Sequence, residues 1–316
     1  DNIKIGLAVE NYAVQTEINE EIKEPVFNIL EDEAIKKVTF GMKDTIVRLA
    51  NKLKLGGTFY DVELAAYLLD PAKSGYDIFG LAESYLGAFY EKKENTQLSL
   101  FDESSGEDDV LSHEAACLIP LMHKEREKMK SDGQISLYES IELPLSEVLA
   151  DMQLIGVKID KAHLQEFSDM LGERLSALTA AIYDFSGEEF NINSPKQLGV
   201  ILFEKLGLKS VKKTKSGYST NADVLEKLKD KHPIVPLIME YRQLSKLKST
   251  YCDGLSAVID KNDGRIHSNF TQTVTVTGRI SSTEPNMQNI PVRTELGREL
   301  RKMFVADSGN VLIDAD

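Results

Sequence analysis

Cysteine is nearly absent from the 316 residues. Cys117 and Cys252 lie far apart, with no CxxC pair and no histidine pattern near either. A disulfide framework and a zinc site are both excluded, which leaves two plain thiols. Long apolar runs are also missing. No stretch approaches the roughly 18 apolar residues that a membrane span requires, and the opening DNIKIGLAVE has neither the basic start nor the apolar centre of a signal peptide. The chain therefore reads as cytoplasmic, with no membrane partner. Positive charge is in short supply: 37 Lys and Arg face 51 Asp and Glu, for a formal net charge of -14. Taken whole, that balance argues against a polyanionic partner. What is present is ordinary for a globular protein, 42% hydrophobic and 28% charged, in a length sufficient for two or three cores.

The distribution of charge reverses the whole-chain reading. Residues 1–125 carry 12 Lys and Arg against 24 Asp and Glu, a balance of -12, whereas residues 193–254 carry 12 against 6, a balance of +6. A basic segment behind an acidic front is what a nucleic-acid-binding module joined to an acidic scaffold presents. A basic helical face paired with an acidic neighbour is the competing account.

Hydrophobic spacing organises the same chain into blocks. IKIGLAVE and YAVQTEI predict two strands of a hairpin around Glu10-Asn11, and AIKKVTF predicts a third. MKDTIVRLANKL, ending near Gly56-Gly57, and DVELAAYLLD, stopped by Pro71, predict helices, so the front is an α/β domain. The polar and acidic EKKENTQLSLFDESSGEDD marks an exposed loop. From Glu114 the pattern is helical through ACLIPLMHKEREKM, LYESIELPLSEVLADMQLIG and HLQEFSDMLGERLSALTAAIYDFSG. After Gly254, RIHSNFTQTVTV alternates like a strand, RELRKMF predicts a short helix and NVLIDAD an apolar strand where the chain stops. A buried strand without neighbours is physically odd, and the expectation is a piece of a longer protein.

The basic segment opens with a complete helix-start signal. In NINSPKQLGVILFEKLGL, Ser194 stands as the N-cap, Pro195 at the first helical position and Gln197 three residues after the cap. Lys196 falls in the first turn, where a cation opposes the helix dipole, so this end is expected to face an anion. VKKTKSGYSTNADVLEKL then sets Lys212, Lys213 and Lys215 beside Gly217 and leads through Ser219 and Thr220 into another helix start. YRQLSKLKSTY adds Arg242, Lys246 and Lys248 with Ser249 and Thr250. Cations and hydroxyls in that mixture suit a nucleic-acid backbone, although any one of these lysines taken singly is as well explained by a solvated helix face.

TVTGRISSTEPNMQNIPVR, at 275–293, adds a different chemistry. Arg279, Asn286, Gln288, Asn289 and Arg293 supply planar donors and acceptors, Ser281, Ser282 and Thr283 supply hydroxyls, and Gly278 permits close backbone approach. The minor groove offers purine N3 and pyrimidine O2 acceptors at every base pair. A donor such as Arg279 placed there checks pair geometry without reading sequence.

At these residues a family becomes recognisable. TGRISSTEPNMQNIPVR resembles the TGRLSS-x-PNLQNIP signature of family A DNA polymerases, the bacterial DNA polymerase I type. NINSPKQLGVILFEKLGL, the KKTKSGYST loop, YRQLSKLKSTY and the final VLIDAD resemble the same family, so the likeness runs from about Glu142 to the end and is weaker over the front. It implies a ribonuclease H-like, exonuclease-type α/β domain at 1–125 and connecting helices at the base of palm and thumb at 126–190. A mainly α, DNA-gripping thumb follows at 191–254, and an α+β palm begins at 255–316. The implied partners are primer-template DNA and, for the full-length enzyme, dNTP, with the protein acting as a monomer. Asp316 stands where the family's first catalytic Asp should be, with Asp314 as the competing assignment. Phosphoryl transfer by two Mg²⁺ ions needs carboxylates that bridge metals roughly 3.5–4 Å apart, so one Asp is an incomplete set.

The front resembles the family's 3′–5′ proofreading domain without its acids. The chain begins after the first acidic motif; Thr45, beside Asp44, aligns with the second, and His113 and Cys117 stand where the third has Tyr and Asp. Neutral residues cannot hold divalent cations against their hydration. Asp61 fits the scaffold alone, so the domain is expected to be an inactive remnant. QLSLF matches the pentapeptide through which bacterial partners bind the sliding clamp, with Gln97 at the rim, Leu98 after it, and Leu100 and Phe101 entering an apolar pocket. A hydrophobic staple that folds the loop back on its own domain is the alternative. The leading reading is part of a DNA polymerase; a non-catalytic DNA-binding and clamp-tethering module is the runner-up, and an active nuclease is disfavoured.

Overall fold

The computed structural model describes residues 3–88, 110–210 and 217–313, with the backbone of 213–214. The front half runs β1 (Lys4–Val9), β2 (Tyr12–Glu17), α1 (Lys23–Glu31), β3 (Lys37–Thr39), α2 (Met42–Leu49), β4 (Phe59–Asp61), α3 (Val62–Leu69), α4 (Ile78–Leu86), α5 (Val110–Ser131), α6 (Ile135–Leu137) and α7 (Leu143–Ile155). A wide i→i+5 turn, Tyr138–Glu142, joins α6 to α7. Next come β5 (Val157–Lys158), α8 (Lys161–Ser186), α9 (Pro195–Gly199), β6 (Lys213–Thr214), β7 (Gly217–Tyr218), α10 (Ala222–Leu228), α11 (Ile234–Leu247) and α12 (Gly254–Val258). The chain finishes with β8 (Arg265–Ile266), β9 (Asn269–Thr271), β10 (Ser281–Thr283) and α13 (Glu295–Arg301). No helix among the described residues is long and apolar enough to cross a membrane.

These elements form two compact units, and the division is not sequential. One unit is Asp1–Ile155 with Ser268–Asn286; the other is Gly156–His267 with Met287–Asp316. In the first, β1 and β2 pair antiparallel with Val9 opposite Tyr12, as the turn at Glu10-Asn11 predicts. β3 pairs parallel with β4, and the crossover such a pair requires is supplied by α2. The core gathers Tyr60, Val62, Leu64, Tyr67, Leu121 and Tyr138 from β4, α3, α5 and the wide turn. β9 and β10 form an antiparallel ladder with Ser282 opposite Phe270.

The second unit is built around α8. Asp160 caps its start by accepting from the His163 N–H at 3.0 Å, and Gly187 ends it in the left-handed region at φ 70. Its apolar stripe, Leu164, Phe167, Leu171 and Leu178, packs with Leu244 and Leu247 of α11 and with Leu300 and Met303 at α13. A second cluster joins Ile182 to Leu198, Leu202, Leu225 and Ile238.

Several expectations change. β4, α1 and α4 are elements that hydrophobic periodicity alone does not single out, although Asp77, accepting from the Gly80 N–H at 2.8 Å, and Gly87 at φ 65 are local signals that bound α4. RIHSNFTQTVTV is not one strand: β8 pairs with β5 in the second unit, and β9 pairs with β10 in the first. Val311, Leu312 and Ile313 of the expected NVLIDAD strand have no strand partner among the described residues and are 78, 62 and 85% exposed. A strand exists only where a neighbour takes its N–H and C=O groups.

Candidate nucleic-acid interface

In the second unit the helix start at Ser194 forms as its residues dictate. The Ser194 hydroxyl accepts from the Gln197 N–H at 3.4 Å, but Gln197 does not return the bond to Ser194; its Oε1 accepts from the Asn191 N–H at 2.6 Å. The half-closed capping box thereby braces the preceding loop, and Lys196 stays exposed in the first turn. Beyond it, β6 and β7 make a hairpin with Lys213 opposite Tyr218. Tyr218 seats that hairpin on the helix: its ring lies 4.9 Å from that of Phe203, and a Cβ added to Gly199 would come within 3.1 Å of Tyr218. Lys212 and Lys215 lie outside the described residues, as does the side chain of Lys213.

Arg242 faces inward. Its Nη1 donates to the Thr220 carbonyl at 2.6 Å and its Nη2 to the Ile192 carbonyl at 3.3 Å, and the buried Thr220 hydroxyl accepts from the same guanidinium. One side chain thus ties together the loop before Ser194 and the loop after the hairpin. Ser219 is half-buried, and the cap of α10 is Asn221, whose side chain accepts from Val224 N–H at 3.1 Å. Lys248 pairs with Asp253 at 2.8 Å, whereas Lys246, Ser249 and Thr250 are exposed. The Ser249 hydroxyl donates to the Lys246 carbonyl at 3.5 Å.

The polar stretch 275–293 is divided between the units. Arg279 and Asn286 belong to the first, Gln288, Asn289 and Arg293 to the second, and all five are exposed. Arg279 follows a tight turn in which the Gly278 N–H donates to the Thr275 carbonyl at 3.4 Å; Gly278 takes φ 75, a conformation that glycine adopts without strain. Ser282, one of the three hydroxyls expected to face a ligand, is fully buried and bonds to the Ser268 hydroxyl at 2.8 Å. The carbonyl of Asn289 accepts from the Tyr251 hydroxyl, and Thr294 caps α13 through the Gly297 N–H at 3.0 Å.

The front unit carries acids, arranged for structure. Asp61 is 4% exposed and accepts four backbone N–H groups: Gly41 at 3.0 Å, Met42 at 2.7 Å, Glu63 at 3.0 Å and Leu64 at 3.4 Å. Burial raises its carboxyl above the ordinary range while those donors oppose the rise. Gly41 makes the cradle possible, since it takes φ 73 at the start of α2 and a Cβ there would come within 3.2 Å of Glu63 Oε2. The Thr45 hydroxyl donates to the Gly41 carbonyl at 3.0 Å; Asp44 is exposed and paired with Lys43 at 2.9 Å. His113 is exposed on α5, and Cys117, one turn on, is packed against the core. Among the described residues no three His, Cys, Asp or Glu side chains are grouped so as to hold a metal ion.

Two further acids escape a reading of the sequence. Glu63 is raised to about 7, first by burial and then by the charge of Asp61. Glu125 is fully buried in α5 and raised to about 9 by burial. Its neighbours Tyr60 and Tyr138 are pushed up by burial as well. Spacing gives no sign of either acid, because Glu125 lies within a run of surface-type charges, HKEREKMK. Gln97, Leu98, Leu100 and Phe101 of the clamp-like pentapeptide, with Asp314 and Asp316, lie outside the described residues.

Comparison with known proteins adds the following. Residues 161–316 match DNA polymerase family A, and residues 2–94 match the ribonuclease H-like domain of DNA polymerase I. The chain is 42% identical over 291 residues to DNA polymerase I of Bacillus subtilis (strain 168), covering 90% of this chain and 33% of that protein. It is 43% identical over 294 residues to DNA polymerase I of Geobacillus stearothermophilus, again covering 90% and 33%. The chain therefore spans about a third of the length of these curated relatives. Among solved structures, the POL domain of Pol1 from M. smegmatis in complex with DNA primer-template and dNTP superposes with a TM-score of 0.81 at 31% identity, over 96% of this chain and 52% of that one.

Proposed function

We propose, from the match of residues 161–316 to DNA polymerase family A and of residues 2–94 to the ribonuclease H-like domain of DNA polymerase I, that the chain is the template-gripping part of a DNA-directed DNA polymerase. The observation that carries the reading is the exposed Arg279, presented by the Thr275–Gly278 turn within TGRISSTEPNMQNIPVR. A guanidinium there donates to minor-groove acceptors at the primer terminus, which every base pair provides. Lys196, Lys212, Lys213, Lys215, Lys246, Ser249 and Thr250 contact phosphates, while Arg242 and Thr220 hold the two loops that present them. Ser194, Ser219 and Lys248 complete that surface. Asn286, Gln288, Asn289 and Arg293 contact the strands nearer the reacting end.

On this reading template-directed nucleotidyl transfer belongs to a longer protein that acts in replication and repair as a cytoplasmic monomer, and the greater length of the relatives supports it. Mg²⁺ supplies charge neutralisation and activation of the primer hydroxyl in such chemistry. In this chain Asp316 is the residue proposed to hold it, and the described residues add no acid cluster to that set. Loss of proofreading is supported by the fixed bonds of Thr45 and Asp61 and by Cys117 packed where a ligand would be needed. QLSLF supports a tether to a sliding clamp.

Single-turnover primer extension with the full-length enzyme tests the central claim. Arg279→Ala slows incorporation about tenfold or more, the worth of a charge-assisted hydrogen bond of roughly 1.5–3 kcal/mol, with a smaller effect on DNA affinity. Unaltered incorporation by the variant refutes the role of Arg279; absence of extension by the wild-type enzyme refutes the polymerase reading.

A further inference from the structure

The segment Ser268–Asn286, which carries Arg279, packs as part of the front unit rather than with the chain that immediately precedes it. It is fastened there at four residues. The Lys43 ammonium, 9% exposed on α2, donates to Asn269 and to Gln153 Oε1 at 2.9 Å. Gln272 accepts from the Ser146 hydroxyl at 2.9 Å and donates to Glu142 Oε2 at 2.8 Å. The Thr273 hydroxyl donates to Glu63 Oε1 at 2.9 Å, and the Tyr67 hydroxyl donates to the Thr275 carbonyl at 2.8 Å.

The last of these bonds leads to the functional arginine. Thr275 receives Tyr67 on its carbonyl and, through its own hydroxyl, donates to the Arg279 carbonyl at 2.5 Å. The same Thr275 carbonyl takes the Gly278 N–H that closes the turn. Tyr67 is itself immobilised: it is 4% exposed, and its ring meets Tyr76 edge-on at 6.4 Å, with the Tyr76 hydroxyl fixed to the Asp70 carbonyl at 2.6 Å. An unbroken chain of bonds therefore runs from the core of the ribonuclease H-like domain to the backbone of Arg279.

We propose that this front domain positions the polymerase's minor-groove arginine, with Tyr67 as the principal positioning residue and the Glu63–Thr273 bond as its support. The proposal rests on the polymerase reading of Arg279 and gives the domain a function independent of nuclease acids. A bond that fixes a turn acts on the rate of a step needing that geometry and not on gross affinity, because the phosphate contacts lie elsewhere.

A double-mutant cycle in the full-length enzyme tests it, using Tyr67→Phe, which keeps the buried ring, and Thr273→Val, which keeps the branched shape. Each single variant slows single-turnover extension about threefold to tenfold, the range of one neutral hydrogen bond, with primer-template affinity unchanged and the melting temperature lowered by no more than a few degrees. In an Arg279→Ala background Tyr67→Phe causes no further loss, as expected of two groups acting as one. Hydrogen exchange on the 316-residue chain supplies a readout that needs no catalysis: Tyr67→Phe accelerates exchange of the Gly278 amide while the amides of α3 stay protected. Additive losses, or unchanged Gly278 exchange, overturn the proposal. Wild-type enzyme that extends no primer overturns instead the polymerase reading, and the exchange result still decides whether Tyr67 anchors the turn.

Discussion

Replacing Glu125 by Gln should remove a pH dependence from the front unit's stability, so that the variant is the less stable of the two at low pH and the more stable at high pH. Glu125 is 0% exposed; its Oε2 receives the Tyr60 hydroxyl at 3.3 Å, and its Oε1 has no hydrogen-bond partner. With the folded carboxyl near 9 and an unfolded value near 4.3, the native state holds a proton that the unfolded chain releases anywhere between. Its contribution is fully present below about pH 4 and is lost as pH rises toward 9, at about 1.4 kcal/mol per unit. At pH 7 the wild-type chain has lost roughly 4 kcal/mol through this one group. Glutamine does not titrate, but its buried amide N–H groups lack acceptors, at about 1–2 kcal/mol. The variant is therefore less stable than wild type at pH 4, crosses over at about pH 5.5 and is more stable at pH 8. Urea unfolding at each pH measures this, followed by near-ultraviolet circular dichroism of the tyrosines, since the chain contains no tryptophan. The rings of Tyr60 and Tyr138, 5.1 Å apart, report on the site itself. A stability difference that stays constant from pH 5 to pH 8 refutes the reasoning, because it means that the native carboxyl titrates as in the unfolded chain.

Three further outcomes follow from the structure and the charge distribution. With Arg242 turned inward and Lys248 paired to Asp253, Lys196, Lys212, Lys213, Lys215 and Lys246 remain for phosphates; with about four phosphates engaged, the isolated chain should bind primer-template DNA without sequence preference, log K falling against log salt with a slope on the order of -3 to -4, and an affinity indifferent to salt contradicts this. Single-stranded DNA should survive incubation with Mg²⁺ or Mn²⁺, and trimming that disappears in Asp44→Ala would show that a nuclease site had been misread. Replacing Leu100 and Phe101 together by Ala should abolish micromolar binding to a bacterial sliding clamp, each anchor being worth about 1.5–3 kcal/mol; calorimetry that detects no wild-type binding, or a lowered melting temperature in the variant, counts against the tether.

Much of the local structure was legible because it is written within a few residues. Ser194 before Pro195, Gly187 after α8 and Glu10-Asn11 between two apolar runs each meet partners close by in sequence, so their caps and turn form as spacing predicts. The family signature around Arg279 was legible for the same reason. Direction of side chains was not. Arg242 reads as one more cation in YRQLSKLKSTY, yet it braces two loops, and Glu125 reads as one more surface acid, yet it is buried. An amphipathic pattern says which face is apolar but not which carbonyl a guanidinium reaches across a packed unit.

The largest difference lies in RIHSNFTQTVTV, whose alternation predicts one strand and whose residues part company between Ile266 and Asn269. Alternation specifies an extended backbone and leaves the partner open. Here β5 claims one end and β10 the other, and the residues that hold the second end, Lys43, Glu63 and Tyr67, precede it by about 200 positions. By itself the sequence determined caps, turns, the basic segment and the signature that identifies the family. Tertiary packing alone decided that the arginine of that signature stands on the ribonuclease H-like domain, because hydrogen bonds between residues so distant in the chain exist only once both surfaces have been brought together.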